Sequence, residues 1–448
     1  MTSGGALPES RVDRNARAAL LLVLAALCFV AFLMFRTVNA AVFGDYSEWT
    51  YHGVLLRDFL RGHPDSLYVL KNYPVPNTLT TVGLGVWMLV LPWKIAAKVW
   101  LLCEVVLGLV AAVQLQKASG RLQGWKLLVL PAAVLLGTTF WFGFSNFNFG
   151  VYFAMLICAM LLRDVKSEWA YGLLLLAAFF SHMIPFGFAV LVMGLYAMQK
   201  EKWRLLWQMV PSFGLCLWYF AGRLVHGNAD AYAGMVSTVT YGSPLFLAFK
   251  GNSYLKCWGF VNPASTDQDS VLLRLVGAKI FVLLFVLALI AAAVGLVLMS
   301  TTAWRAVRSK TGHWFFWVAT VLFFVVGLVM PGAAAGISDP GGRMMQVAVW
   351  CAICVVATRG RWSGAVLGVC AIGLLAADCY LVGAVAMKPP MSGSVDGVMP
   401  ARVREFAHVY YADRYADFGD IDAGKMDAGI FPTAMFLKKD RVDGGLQR

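Results

Sequence analysis

The stretch Gly44-Asp45-Tyr46-Ser47-Glu48-Trp49-Thr50-Tyr51-His52 brings two carboxylates and an imidazole together. Spacings of three and four set Asp45, Glu48 and His52 on one side of a helix, with Trp49, Leu56 and Leu60 on another side suited to a membrane interface. A carboxylate and an imidazole fixed side by side can perform general acid–base work, so Asp45, Glu48 and His52 are candidate catalytic residues. The same residues also fit local structure: Asp45-x-x-Glu48 has the form of a capping box with Asp45 as N-cap.

A second set of residues suits an anion. In Ser338-Asp339-Pro340-Gly341-Gly342-Arg343 the glycines let the backbone bring Arg343 close to a ligand, and arginine's planar fork matches a phosphate. The bland reading of Arg343 is an interfacial anchor. Arg36 can serve the same anion or snorkel to headgroups. Lys71, ahead of the rigid Pro74-Val75-Pro76, can contact a phosphate or simply sit at the interface. His182 is an ionisable residue at membrane depth, a functional candidate whose alternative is a neutral ring bonded to a backbone carbonyl. Asn146 and Asn148 are expected to satisfy the backbone of their own turn, with acceptor contact as the alternative. His226 and Asp230 lie in a loop, 223–279, too long for a structureless connection. That loop also holds Asp267-Gln268-Asp269, a carboxylate pair of the kind that binds a hard divalent cation such as magnesium or manganese. Cys351-x-x-Cys354 lies inside an apolar run and reads as buried small residues rather than a metal or redox site.

The elements that must position these residues are apolar. Of 448 residues 60% are hydrophobic and only 14% charged, about half the usual charged share of a soluble domain. That excludes a disordered chain and argues against a soluble enzyme. Apolar runs cover 18–35, 95–115, 127–142, 149–162, 169–198, 205–222, 280–299, 314–335, 344–358 and 363–385, and roughly 20 apolar residues cross a bilayer core. The net charge of +13 is concentrated in six clusters, around Arg14, Lys117, Arg163, Lys202, Arg308 and Arg361. All six face the cytoplasm, as the positive-inside rule expects, if 77–93 is an outer juxtamembrane or re-entrant helix and 169–198 a hairpin with His182 at its outer tip. The basic balance is then an orientation signal rather than a nucleic-acid footprint. The fold expected is an all-α polytopic membrane protein of about 11 transmembrane helices. Its parts are a cytoplasmic segment 1–17, a membrane domain 18–385 with outer loops 43–94 and 223–279, and an outer-face tail 386–448. Residues 402–418 of the tail read as helical. The first apolar run could instead be a cleaved signal peptide ending at Val38-Asn39-Ala40. No Walker loop or dinucleotide fingerprint is present.

An acidic residue just after the first span, a proline-bearing outer segment, a short-helix hairpin around His182 and the Asp339–Arg343 turn together resemble the GT-C fold glycosyltransferases, over roughly residues 18–360. The acidic pair of many members is replaced here by Asp45-Tyr46-Ser47-Glu48. The resemblance implies a polyprenyl-phosphate-linked sugar as donor and a glycan, lipid or protein as acceptor, meeting at the outer face of the membrane, which the compact loops and positive-inside pattern point to as a bacterial inner membrane. It implies Asp45 as general base. It also implies that Arg343, with Arg36 or Lys71, steadies the leaving phosphate while His182 orients phosphate or acceptor. The rival reading is a multi-pass transporter or lipid flippase that uses the intramembrane carboxylates Glu104 and Asp378. A third is a non-catalytic membrane assembly subunit.

Overall fold

The computed structural model describes residues 11–36, 46–120, 122–141, 143–226, 244–259, 278–309, 313–334, 337–356, 361–386 and 435–438. They form α1 (Arg11–Arg36), α2 (Tyr46–Leu60), β1 (Tyr68–Leu70), α3 (Leu79–Trp87), α4 (Trp93–Ala118) and α5 (Gly124–Leu130). A π-type turn, Pro131–Leu135, leads to α6 (Thr138–Trp141), α7 (Ser145–Leu162), α8 (Glu168–Ser181) and α9 (Met183–Lys200). Then come α10 (Arg204–Trp207), α11 (Val210–His226), α12 (Pro244–Leu255), α13 (Ala278–Arg308) and α14 (Trp314–Val329). The strands β2 (Ala333–Ala334) and β3 (Ile337–Ser338) precede α15 (Pro340–Val355), α16 (Arg361–Ala386) and β4 (Phe436–Lys438). Among the described residues, six helical segments are long and apolar enough to cross a membrane, and three more are apolar but shorter. Leu21 and Leu22 of α1 and Leu283 and Val297 of α13 are exposed, as lipid-facing residues are. The chain is an all-α membrane protein.

Several expected elements differ in detail. The run 127–142 is a broken path, because Pro131 has no N–H for the helical ladder and the turn widens until Leu136 N donates to Pro131 O at 2.8 Å. The run 205–222 divides into α10 and α11. Ser145–Asn148, expected as a turn, is the first turn of α7. Two short two-stranded ladders accompany the helices, β1 with β4 and β2 with β3. The first carries a tail segment back onto the 43–94 region, Tyr68 opposite Lys438 and Leu70 opposite Phe436. The helix expected at 402–418 lies outside the described residues.

Close helix approaches depend on missing side chains. Gly108 of α4 leaves room for the rings and methyls of Tyr152 and Leu135, which a Cβ would strike. Gly327 of α14 meets Gly341 of α15 backbone to backbone. Such small-residue contacts are how helices associate in lipid, where no hydrophobic force drives them together.

Polar contacts sort the bundle into two ends. At one, Thr78 N donates to Phe180 O at 2.8 Å, and Asn146 bridges Thr80 N (2.8 Å) and Asn77 O (2.9 Å). At the other, Arg163 donates to Gln114 Oε1 at 2.9 Å, Lys126 Nζ to Cys354 O at 3.0 Å, and Lys202 pairs with Asp164. The Lys202 ammonium and the Tyr196 hydroxyl hold the exposed Asp164 carboxyl below its usual range. This second end carries Lys117, Lys126, Arg163, Lys200 and Lys202 and is the basic end. If the bundle spans the bilayer in this way, single cysteines placed at Asp65 and at Lys166 will react with a membrane-impermeant maleimide from opposite sides of the membrane. Labelling of both from one side would contradict the arrangement.

Candidate functional site

The non-basic end holds a helix break and a helix start that face each other. The break is dictated by Pro185. In a continuous helix its ring would collide with the carbonyl of Ser181, four residues back, and its absent N–H would leave a gap. The chain breaks at His182 instead, which is extended (φ −164°, ψ 136°) and caps α9. His182 N closes α8 on Ala178 O at 2.9 Å. Its Nδ1 accepts the Ile184 N–H at 3.2 Å. The break rests on α7 at Gly150, where a Cβ would press on Pro185.

The start of α15 is built with equal economy. Asp339 adopts the left-handed conformation (φ 44°), and its Oδ1 accepts the Gly342 N–H at 2.9 Å. Pro340 fills the first helical position, where a missing donor is harmless. A Cβ on Gly342 would run into the Asp339 carboxyl, and one on Gly341 into the Gly327 carbonyl and Lys250 Nζ. The tight cap therefore requires both glycines. Arg343 follows one residue later. Its Nη1 lies 3.1 Å from His182 Nε2, and its guanidinium lies 4.4 Å from the centre of the Phe144 ring and 5.8 Å from that of Phe147. Phe147 also meets His182 edge-on, at 5.4 Å between ring centres.

This pairing leaves the imidazole short of an acceptor. A neutral ring has one lone pair for hydrogen bonding, and guanidinium nitrogens only donate. Two donors approach it, Ile184 N–H at Nδ1 and Arg343 at Nε2. Whichever tautomer forms, one of the two meets an N–H. An anionic oxygen beside Nε2–H and the guanidinium would accept from both.

A second cation lies near the start of α15. Lys250 of α12 is buried, and its Nζ has no hydrogen-bond acceptor among the described residues. The rings of Phe246 and Phe249 lie 5.5 and 5.4 Å from it. Burial lowers its pKa, and the charge of Asp339 acts in the opposite direction. Ser253, one turn on, donates to Asp339 Oδ2 at 2.7 Å. In the sequence Lys250 stands out only as one of several charged residues of the 223–279 loop, and Ser253 gives no signal of its own.

The structure thus brings Arg343 and His182 together. Glu48 and His52 form a second group on α2, Oε1 to Nε2 at 3.3 Å. Both are buried, and His52 packs edge-on against Trp49 (5.9 Å) and Phe436 of the tail (6.1 Å between ring centres). Trp49 is itself in the core rather than at an interface. Lys71 lies over Tyr73 at 5.8 Å, and its backbone N–H donates to Met435 O at 3.1 Å. Asn146 and Asn148 do not serve a local turn. Because α7 starts at Ser145, their side chains point across to neighbouring segments, Asn146 to 77–80 and Asn148 to Glu104 Oε1 at 2.7 Å. Ser145 Oγ occupies the other Glu104 oxygen at 2.5 Å, and Thr139 Oγ donates to Asn148 Oδ1 at 2.7 Å. Glu104 is therefore a satisfied bridge between α4 and α7. Asp45, Asp230, Asp267 and Asp269 lie outside the described residues, as do the side chains of Arg36, His226 and Asp378. No group of three or more metal-binding side chains occurs among the described residues.

No family model, curated protein or solved structure matches the chain.

Asp339→Ala removes the acceptor of both Gly342 N–H and Ser253. It should lower stability by about 1–2 kcal/mol, the upper range for a lost cap. Asp339→Asn keeps an acceptor oxygen and should lose less. Thermal unfolding midpoints in detergent rank the two; equal losses would contradict the capping role.

Proposed function

We propose that the protein is a membrane glycosyltransferase that moves a sugar from a polyprenyl-phosphate donor to an acceptor hydroxyl at the end of the bundle carrying His182 and Arg343. The observation that supports this reading is the guanidinium–imidazole pair at 3.1 Å, where a helix break meets a helix N-terminus and the ring lacks an acceptor. An N-terminus favours negative charge such as a phosphate.

In the proposed reaction Asp45 takes the proton of the acceptor hydroxyl. The oxygen attacks the anomeric carbon, and the bond from that carbon to the phosphate oxygen breaks. The leaving polyprenyl phosphate gains negative charge, which Arg343 and His182 Nε2–H receive. Arg36 and Lys71 are further candidates for the same phosphate. Glu48 and His52 would hold the α2 segment that follows Asp45. The GT-C-like architecture, eleven spans, a cytoplasmic N-terminus and an outer C-terminus in a bacterial inner membrane belong to the same proposal. The basic end then faces the cytoplasm. The pairing of β4 with β1 is consistent with a tail on the reaction side.

Purified protein with a panel of polyprenyl-phosphate sugars tests this. Asp45→Asn should reduce transfer about 10²- to 10⁴-fold, the usual weight of a general base, with donor binding retained. Arg343→Ala should cost about 10²- to 10³-fold through the lost charge stabilisation, and Arg343→Lys should recover only part. Full activity in Asp45→Asn, or in Arg343→Ala, would refute the assignment.

A further inference from the structure

A cavity of about 430 Å³ opens at the basic end, between the start of α8 and the turn from α9 into α10. That volume lies within the range of about 300–1,000 Å³ usual for small-ligand sites. The cavity is remote from the Arg343–His182 site, because the 18 residues of α9 separate it from His182, roughly 27 Å at the helical rise. Its frame is tied down. The Tyr171 hydroxyl donates to Val165 O at 3.1 Å, the Tyr196 hydroxyl donates to Asp164 at 2.5 Å, and Lys202 pairs with the same carboxylate. Four charged side chains on the wall are left over, two of each sign: Lys166 and Arg204, Glu168 and Glu201. All four are exposed, and among the described residues none of their side chains makes an ion pair or a hydrogen bond.

Depth and charge together indicate the occupant. The apolar helices α8 and α9 begin and end here, so the edge of the hydrocarbon falls at the cavity. Trp203 lines it, Trp169 follows Glu168, and Trp207 lies one turn beyond Trp203; they are 68% (Trp169), 56% (Trp203) and 73% (Trp207) exposed. Exposed tryptophans of this kind sit at the headgroup level. A purely anionic headgroup would meet both carboxylates as repulsion. A headgroup with a phosphate and a primary ammonium complements both signs, whereas a quaternary ammonium has no N–H to donate. We infer that this cavity binds the headgroup of one phosphatidylethanolamine molecule, its phosphate with Lys166 and Arg204, its ammonium with Glu168 and Glu201, and its acyl chains in the bilayer. The inference does not depend on the sugar-transfer reading, since no residue of the cavity takes part in it.

The test uses full-length protein in nanodiscs of equal amounts of phosphatidylethanolamine, phosphatidylglycerol and phosphatidylcholine, followed by native mass spectrometry of the lipids that stay bound. One phosphatidylethanolamine should be retained over either competitor by about fivefold, the upper worth of an exposed ion pair. Glu168→Gln with Glu201→Gln should erase the discrimination against phosphatidylcholine and phosphatidylglycerol. Lys166→Gln with Arg204→Gln should reduce retention of all three lipids. Arg308→Gln, a basic residue outside the cavity, should change neither. All these side chains are exposed, so the variants should fold. Equal retention of the three lipids by the parent, a preference for phosphatidylglycerol, or discrimination that survives in the double glutamate variant would each overturn the inference.

Discussion

A helix that breaks inside an apolar bundle exposes backbone groups that water cannot reach, so protein must satisfy them. Two such interruptions meet here, the Pro185-driven break at His182 and the Asp339-capped start of α15. Each provides for its own backbone: the imidazole for Ile184 N–H, the Asp339 carboxylate for Gly342 N–H. What each then presents to the other is a side chain, Nε2 of His182 and the guanidinium of Arg343. Much of the bundle serves to hold these two ends in register. Gly150 admits the break, Gly327 and Gly341 let α14 and α15 close, and Phe144 and Phe147 form the wall on which the guanidinium lies.

The buried polar residues divide into structural and unfinished groups. Glu104 with Ser145, Asn148 and Thr139 is complete, since every carboxylate oxygen has a donor. Such a network fixes α4 against α7 and asks for nothing further. The His182 ring and Lys250 are different. The first has one donor too many, and the second has no acceptor among the described residues. Buried groups left unsatisfied are costly, and a bound anion is one way to relieve them. Cation, imidazole N–H and helix N-terminus all call for negative charge.

The sequence showed the broad plan because hydropathy and charge are strong local signals. The hairpin at His182 followed from the 30-residue length of its apolar run, the break at Ser181, His182 and Pro185 within it, and the basic clusters at both of its ends. The placement of 77–93 off the main span path followed from counting basic clusters, and α3 is indeed a short helix of 79–87 ahead of α4. The pairing of Arg343 with His182 was legible only as two candidates for one phosphate, because 161 positions of sequence separate them. What escaped was non-local. Asn146 and Asn148 have the composition of a turn, and nothing nearby in sequence reveals that Thr80 and Glu104 wait across the bundle. His52 looked available for chemistry because its cover, Phe436, comes from the far end of the chain. Lys250 gave no sign of its place beside the start of α15 because Asp339 and Gly341 approach it only in the fold.

The central claim is that the meeting of these two helix ends is an anion site, and the tautomer of His182 reports on it most directly. Nitrogen-15 NMR of selectively labelled histidine in the full-length protein distinguishes the ring nitrogens. The account predicts a proton on Nε2, Nδ1 as acceptor, and a shift of the Nε2–H signal when a polyprenyl phosphate is added, absent in Arg343→Ala. An Nε2 without a proton, unchanged by the phosphate lipid, would mean that the imidazole simply accepts from Arg343 and that the pair is structural.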